Sequence, residues 1–464
     1  MAARFVTIDH DTPLLLPPDL RNWVPENHLV HFVMDAVSLL NLGSAQTNHR
    51  GTGSAQYPPS MMLGLLIYCY CSGTFSSRKI EGLTYDSVPV RYLCADTHPD
   101  HDSICKFRRE NKELIESAFH QVLECAAHAK ILKVGDITVS VDGTKILANA
   151  SKHSAISHGH ACEQLKLLEE EITQLLAKAE AADSTPLQDG LSIPEEVRRR
   201  EDRVAKIKQA VGVIEARARE RLAADAATYQ SKLEARRAHE KATGKKPKGK
   251  DPTPPQGGPG PTDQFNFTDP ESRIMKAGSG QHFEQAYNAQ ASVEIESRLI
   301  VGQHLVDAPN DKKQLVPAMA AISPVVESIA AVLVDNGYYS EAAVNSVEGR
   351  CTSRGTPVVY AATGRRKHGR SILELENHPD PPTPPPGTAT AEIMAHRLAT
   401  REGKALYGQR KQTVEPVFGI IKEAMKFRRF MLRGLYKTKL EWSLVTLSYN
   451  VKRLFHMQAA LKLT

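Results

Sequence analysis

At 464 residues, 41% of them hydrophobic, the chain has material for about two to three soluble domains, which excludes a disordered or fibrous protein. No apolar run is long enough to span a bilayer and the opening Met-Ala-Ala-Arg-Phe-Val-Thr has no signal-peptide core, so a cytoplasmic protein without a membrane is expected. The net charge of +6 is a weak pointer to nucleic acid, and the seven cysteines, odd in number and mostly in apolar helical contexts, are expected to be reduced thiols. His153, His158, His160 and Cys162 match no standard zinc spacing.

Residues 1–130 are expected to be all helical. Residues 59–72 are an apolar segment, 76–82 are short and polar, and Asp102-Ser-Ile-Cys-Lys-Phe-Arg-Arg109 starts a helix with Asp102 as its cap. An exposed Lys106/Arg108/Arg109 edge fits a helix-turn-helix-like DNA reader, and fits a solvated scaffold face equally well.

The first strand follows. In Ile137-Thr-Val-Ser-Val-Asp-Gly-Thr144 apolar and polar residues alternate, and Asp142 stands at the strand's end. Residues 155–275 are expected as an insertion. Leu165, Leu168, Ile172, Leu175 and Ala179, and after a Ser192-Ile-Pro-Glu195 capping box Val197, Val204, Ile207, Val211, Ile214 and Ala218, keep a 3–4 spacing that predicts an antiparallel helical hairpin. The lysine-rich run 245–250 and the prolines of 252–261 read as linker.

Residues 285–295 and 298–306 then read as a strand hairpin, a helix is expected from about Asp311, and the apolar run before Asp335-Asn-Gly-Tyr338 reads as a central strand ending in a second aspartate. Residues 356–362 give another short strand. A second, Pro-rich insertion is expected over 363–405, with Arg365, Arg366 and Lys367 near its start. This order of strand, hairpin, helix, strand, helix, strand and helix is that of an RNase H-like mixed sheet, here within residues 131–455.

The closing helix is Glu415-Pro-Val-Phe-Gly-Ile-Ile-Lys422. Thr413 as cap and Pro416 in the first turn predict that it begins here, with Val414, Phe418, Ile421 and Met425 inward and Glu415, Gly419, Lys422 and Lys426 on a second stripe. Two strand-end aspartates and a helix-mouth glutamate repel one another, and such a cluster is stable chiefly when it holds metal; oxygen ligands select Mg²⁺ or Mn²⁺, and two such ions perform phosphodiester chemistry. The C-terminal concentration of Lys422, Lys426, Arg428, Arg429, Arg433, Lys437, Lys439, Lys452 and Arg453 suits a phosphate backbone.

Val141-Asp-Gly-Thr-Lys145, Asp335-Asn-Gly-Tyr338 and Tyr407, Arg410, Glu415 and Lys422 followed by Lys426-Phe-Arg-Arg-Phe430 resemble the motifs of bacterial insertion-sequence transposases of the DDE superfamily with a Y-R-E-K signature. The resemblance implies an α/β, RNase H-like core with an all-helical N-terminal DNA-binding domain and two catalytic metal ions on Asp142, Asp335 and Glu415. It also implies DNA contacts from Tyr407, Lys422 and either Arg410 or Lys411, since Arg410 keeps the tyrosine spacing and Lys411 the glutamate spacing; Lys426, Arg428, Arg429, Lys106, Arg108 and Arg109 are the further DNA-binding candidates. The implied partners are double-stranded DNA, as terminal inverted repeats and target, and a second copy in a homodimer. A DNA-binding repressor of the same fold, and a nuclease that cuts without joining, are the alternatives.

Overall fold

The computed structural model describes residues 19–47, 55–182, 192–244, 246, 251–255, 257–276, 282–349, 356–364 and 380–461. Arg365, Arg366, Lys367, Cys351 and most of the 245–250 run lie outside them. The chain divides into two units, one of Met1–Ile146 with Asn288–Thr464 and one of Leu147–Tyr287.

The first unit begins with α1 (Leu29–Ser38), α2 (Pro59–Cys71), α3 (Ser77–Asp86), α4 (Val88–Leu93), α5 (His101–Glu110) and α6 (Lys112–His128). Helix α2 starts on Pro59, whose missing N–H costs nothing at that position, and is apolar on every side because ten of its residues are buried. Helix α5 is capped by Asp100, which accepts from the Ser103 N–H at 2.6 Å, so Asp102 lies in the first turn instead of capping it. Strand β1 (Ile137–Leu147) follows.

The second unit holds β2 (Ala155–Ser157), α7 (His158–Ala182), α8 (Ile193–Thr243), β3 (Gln264–Asn266) and β4 (Arg273–Lys276). The Arg200–Glu171 and Lys208–Glu169 ion pairs, at 2.7 and 3.0 Å, tie α8 to α7 in antiparallel sense. Leu168 meets Val204, Ile207, Ala210 and Ile214 in a core completed by Ile156 and Phe265 of the antiparallel β2–β3 pair. The expected Ser192 capping bond is not made; Pro194 and the acidic Glu195 and Glu196 occupy the first turn of α8, where they suit its dipole. Strand β4 pairs antiparallel with the opening residues of β5 (Phe283–Glu294).

Strand β5 brings the chain back to the first unit, which continues through β6 (Ile300–Val306), α9 (Leu315–Ala320), β7 (Ile329–Val334), α10 (Glu341–Glu348) and β8 (Val358–Ala361). It ends with α11 (Thr390–Arg397), α12 (Arg401–Gly419), a π-helical turn (Ile420–Ala424) and α13 (Leu435–Leu461). The helix expected from about Asp311 is only the short α9. The Glu294 carboxylate closes the β5–β6 hairpin by accepting from the N–H groups of Glu296 and Ser297.

In this unit the strands run in the order β6-β5-β1-β7-β8. Strands β1, β7 and β8 are parallel, β5 and β6 antiparallel. Bonds from Ile295 N to Thr138 O (3.2 Å) and from Ala148 N to Gln285 O (2.8 Å) make β5 antiparallel to β1 as well. The mixed sheet beside a helical N-terminal region is consistent with the expected RNase H-like arrangement. Helix α13 packs on α1, α2, α6 and β6 and is largely buried, with Trp442 and Leu444 fully enclosed. Its Asn450 amide both accepts from Ile300 N and donates to Ile300 O, completing the backbone bonds at the start of β6.

Candidate active site

The register of β1 on β7 brings the two aspartates together. Thr138, Val139 and Ser140 lie opposite Ala331, Val332 and Leu333, and the same register carried two residues further sets Asp142 beside Asp335. Asp335 follows the last residue of β7, as expected. Asp142 lies inside β1, not at its end, because β1 runs on to Leu147 along β5 after β7 has stopped. Each carboxylate is oriented by a nearby backbone N–H: Gly143 N donates to Asp142 at 2.8 Å and Gly337 N to Asp335 at 2.7 Å.

Helix α12 does not begin at Glu415. It starts at Arg401, capped by Thr400, and runs through Pro416. The reason is upstream burial: Gly403, Arg410, Thr413, Val414, Val417 and Phe418 continue one inward stripe, and tertiary packing along it outweighs the one hydrogen bond that an exposed proline forfeits. Thr413 is mid-helix, its hydroxyl donating to Gln409 O at 2.8 Å. Val414, Phe418, Ile421 and Met425 are buried, as the spacing predicts.

The longer helix delivers its polar residues to the strand ends. The Tyr407 hydroxyl donates to Val334 O at 3.1 Å, one residue before Asp335. The Arg410 guanidinium meets Asp142 Oδ2 at 3.2 Å, and after the π turn Lys422 Nζ donates to Thr144 Oγ1 at 2.5 Å. Of the two basic residues left open by spacing, Arg410 points inward, its side chain 11% exposed, and Lys411 is exposed. Glu415 is exposed on α12, and among the described residues no three His, Cys, Asp or Glu side chains lie close enough to hold a metal ion. The structure therefore brings Asp142 and Asp335 together with Arg410 and does not bring Glu415 to them.

Several neighbours escaped the sequence reading. Asn288 and Gln290, which alternate with apolar residues along β5, are fully buried, and both amides donate to Asp311 Oδ1 at 2.7 Å. The Tyr338 hydroxyl donates to Gln290 Oε1, and Lys145 Nζ stands 4.0 Å from Asp311. Gly143 faces this group across the β1–β5 ladder: a Cβ there would lie 2.1 Å from Gln290 Nε2. No local signal marked them, because amides alternating with apolar residues along a strand read equally well as a solvated face.

Burial, with the Asp335 and Asp311 carboxylates adding to it, pushes the Asp142 carboxyl up to about 6 against the opposing pull of the Gly143 N–H and Arg410. Burial lowers Lys145, opposed by the attraction of Asp311, Asp142 and Asp335. Burial, then the repulsion of Arg428, lowers Lys422. Asp142, whose ionisation burial opposes, and the neighbouring Asp335 carboxylate are a hard-oxygen donor pair with a charge that a divalent cation would relieve, so the two fit such an ion.

The other basic candidates divide by burial. Lys106 and Arg109 are exposed on α5, but Arg108 is 3% exposed and cannot meet DNA. Its guanidinium donates to the Tyr70 hydroxyl and to Phe75 O, both at 2.9 Å, and lies 4.0 Å from the buried Glu441 carboxylate. Helical spacing put Arg108 on the same face as Ile104, which is buried too. In Lys426-Phe-Arg-Arg-Phe430 the basic residues are exposed, while Phe427 and Phe430 are buried and Phe427 stacks edge-on with Phe75 at 5.0 Å. Lys452 and Arg453 donate to Cys71 O and Ser297 O, so these two cations serve the core.

Two family models match the chain. Residues 384–455, which include α12, the π turn and most of α13, match the Transposase DDE domain, and residues 18–110, the helices α1 to α5, match the Transposase domain (DUF772). No curated protein and no solved structure matches it.

Proposed function

We propose, for a chain that its two family matches make an insertion-sequence transposase of the DDE type, that it binds the terminal inverted repeats of its own element, cuts the DNA there and joins the 3′ ends to target DNA. The observation that carries this reading is the parallel β1–β7 register that sets Asp142 beside Asp335, with Arg410 of the matched C-terminal segment on the first of them.

Asp142 and Asp335 would hold divalent cations, two Mg²⁺ or Mn²⁺, with Glu415, exposed on α12, the third ligand that the family resemblance implies. Bound there, the ions supply Lewis acidity to both the attacking and the leaving oxygen of the phosphodiester. The chain's own residues prepare the site. Arg410 counters the charge on Asp142 and, like Tyr407, faces the strand ends where the DNA terminus enters. Lys422, held on Thr144 beside Asp142, is a point charge for the phosphate being cut. Water is the first nucleophile and the freed 3′-hydroxyl the second, so no protein nucleophile is used.

Exposed Lys106 and Arg109 support end recognition by the N-terminal helices, and exposed Lys426, Arg428 and Arg429 support a backbone grip near the site. The acting form is a homodimer that pairs two element ends. Among the described residues no helix is long and apolar enough to cross a membrane. The experiment uses duplexes carrying the sequences that flank the gene. Asp142→Asn, Asp335→Asn and Glu415→Gln should each abolish Mg²⁺-dependent end cleavage and leave end binding intact. Near wild-type cleavage by any one variant removes that residue from the site, and cleavage without joined product reduces the protein to a nuclease.

A further inference from the structure

Gln290 sits where three segments of the site converge, and each of its side-chain atoms has a partner from a different one. Its Oε1 accepts from Tyr338, on the turn that begins with Asp335. Its Nε2 donates to Asp311 at 2.7 Å and to Asn288 at 3.0 Å. The same nitrogen lies against Gly143, next in the chain to Asp142, where an added Cβ would stand 2.1 Å from it and force it to shift. The backbone of Gln290 is fixed as well, since its carbonyl accepts from Trp442 Nε1 at 3.1 Å, and the residue is fully buried.

Only an amide meets these demands, because it offers an acceptor to the tyrosine and two donors to the other side. A glutamate would turn a second carboxylate on Asp311, and an apolar side chain would leave Tyr338 and Asp311 short of partners. We propose that Gln290 is a positioning residue: by holding the Tyr338 turn on one side and the Asp311–Gly143 side on the other, it sets the separation of Asp142 and Asp335. This rests on the reading of those two aspartates as the catalytic pair. Gln290 touches neither substrate nor ion; it acts through the strand and the turn that carry the carboxylates.

The test uses the full chain and two substitutions, Gln290→Met, which keeps the volume and removes every side-chain bond, and Tyr338→Phe, which deletes one hydroxyl. Mn²⁺ binding is measured without DNA by electron paramagnetic resonance, alongside the Mn²⁺ dependence of end cleavage and the Kd for end DNA. Residues that orient ligands commonly change metal affinity about 10–100-fold, so Gln290→Met should weaken Mn²⁺ binding by about tenfold or more, and Tyr338→Phe in the same direction by less. The Kd for end DNA should stay within about twofold. If Gln290→Met fails to fold, Tyr338→Phe decides the matter alone. Wild-type Mn²⁺ binding in the folded variants overturns the proposal, as does a loss of end binding that parallels the loss of Mn²⁺ binding. Asp142→Asn separates the two levels. If it still cleaves, the catalytic reading itself fails; if it is inactive while Gln290→Met and Tyr338→Phe bind Mn²⁺ as wild type does, only the positioning role is lost.

Discussion

Gly143→Ala adds one methyl group at the most crowded point of the site. The new Cβ would stand 2.1 Å from Gln290 Nε2, 2.8 Å from Asn288 Oδ1 and 2.9 Å from Asp311 Oδ1, whereas ordinary contact begins at 3.4 Å. Gln290 must therefore retreat by about 1.3 Å, and its anchored backbone leaves that motion to the side chain. Moving so far breaks its bonds to Asp311 and Tyr338, at about 1 kcal/mol each, on top of about 1–3 kcal/mol for overpacking a filled interior. The expected loss is about 3–5 kcal/mol in urea-induced unfolding, followed by circular dichroism with a two-state fit restricted to the transition that the substitution shifts. Mn²⁺ binding should weaken in the protein that remains folded. A Gly143→Ala protein within about 0.5 kcal/mol of wild type, with unaltered Mn²⁺ binding, would refute the crowding argument.

Three further outcomes are expected. Arg108→Ala should cost about 3–5 kcal/mol by leaving the buried Glu441 without its cation, whereas Lys106→Ala should change stability by less than about 0.5 kcal/mol and weaken end binding; equal stability of the two variants in thermal melts would count against the buried pair. The Asp142 carboxyl, pushed up to about 6 by burial first, binds its proton more tightly in the folded than in the unfolded chain. In EDTA that stabilisation is complete below about pH 4 and is lost as pH rises through about 6, a total of about 3 kcal/mol, so Asp142→Asn should gain on wild type across this window; a difference flat in pH contradicts it. Lys422→Ala should leave Tm nearly unchanged, lower end cleavage or joining sharply and reduce the salt slope of end binding by about one unit, with Lys422→Arg rescuing only in part. Normal end processing by Lys422→Ala would return this side chain to a bond with Thr144 and nothing more.

The chemical reading of the C-terminal segment was legible because side-chain periodicity survives errors of boundary. Val414, Phe418, Ile421 and Met425 are buried whether the helix begins at Thr413 or at Arg401, but the start itself depended on packing that Gly403 and Arg410 gave no sign of. Sequence alone likewise determined the strand around Asp142, the strand that ends at Asp335 and the hairpin between them, since alternation and apolar runs are local records of which face is covered. Tertiary structure alone decided which groups meet. A one-residue change of register between β1 and β7 would turn Asp142 away from Asp335, and nothing within either segment specifies that register. The fates of Arg108 and Arg410 were decided in the same way: spacing sets each on one helix face with a buried neighbour, Ile104 or Val414, but only Glu441 and Asp142, arriving from distant segments, let a cation stay buried there.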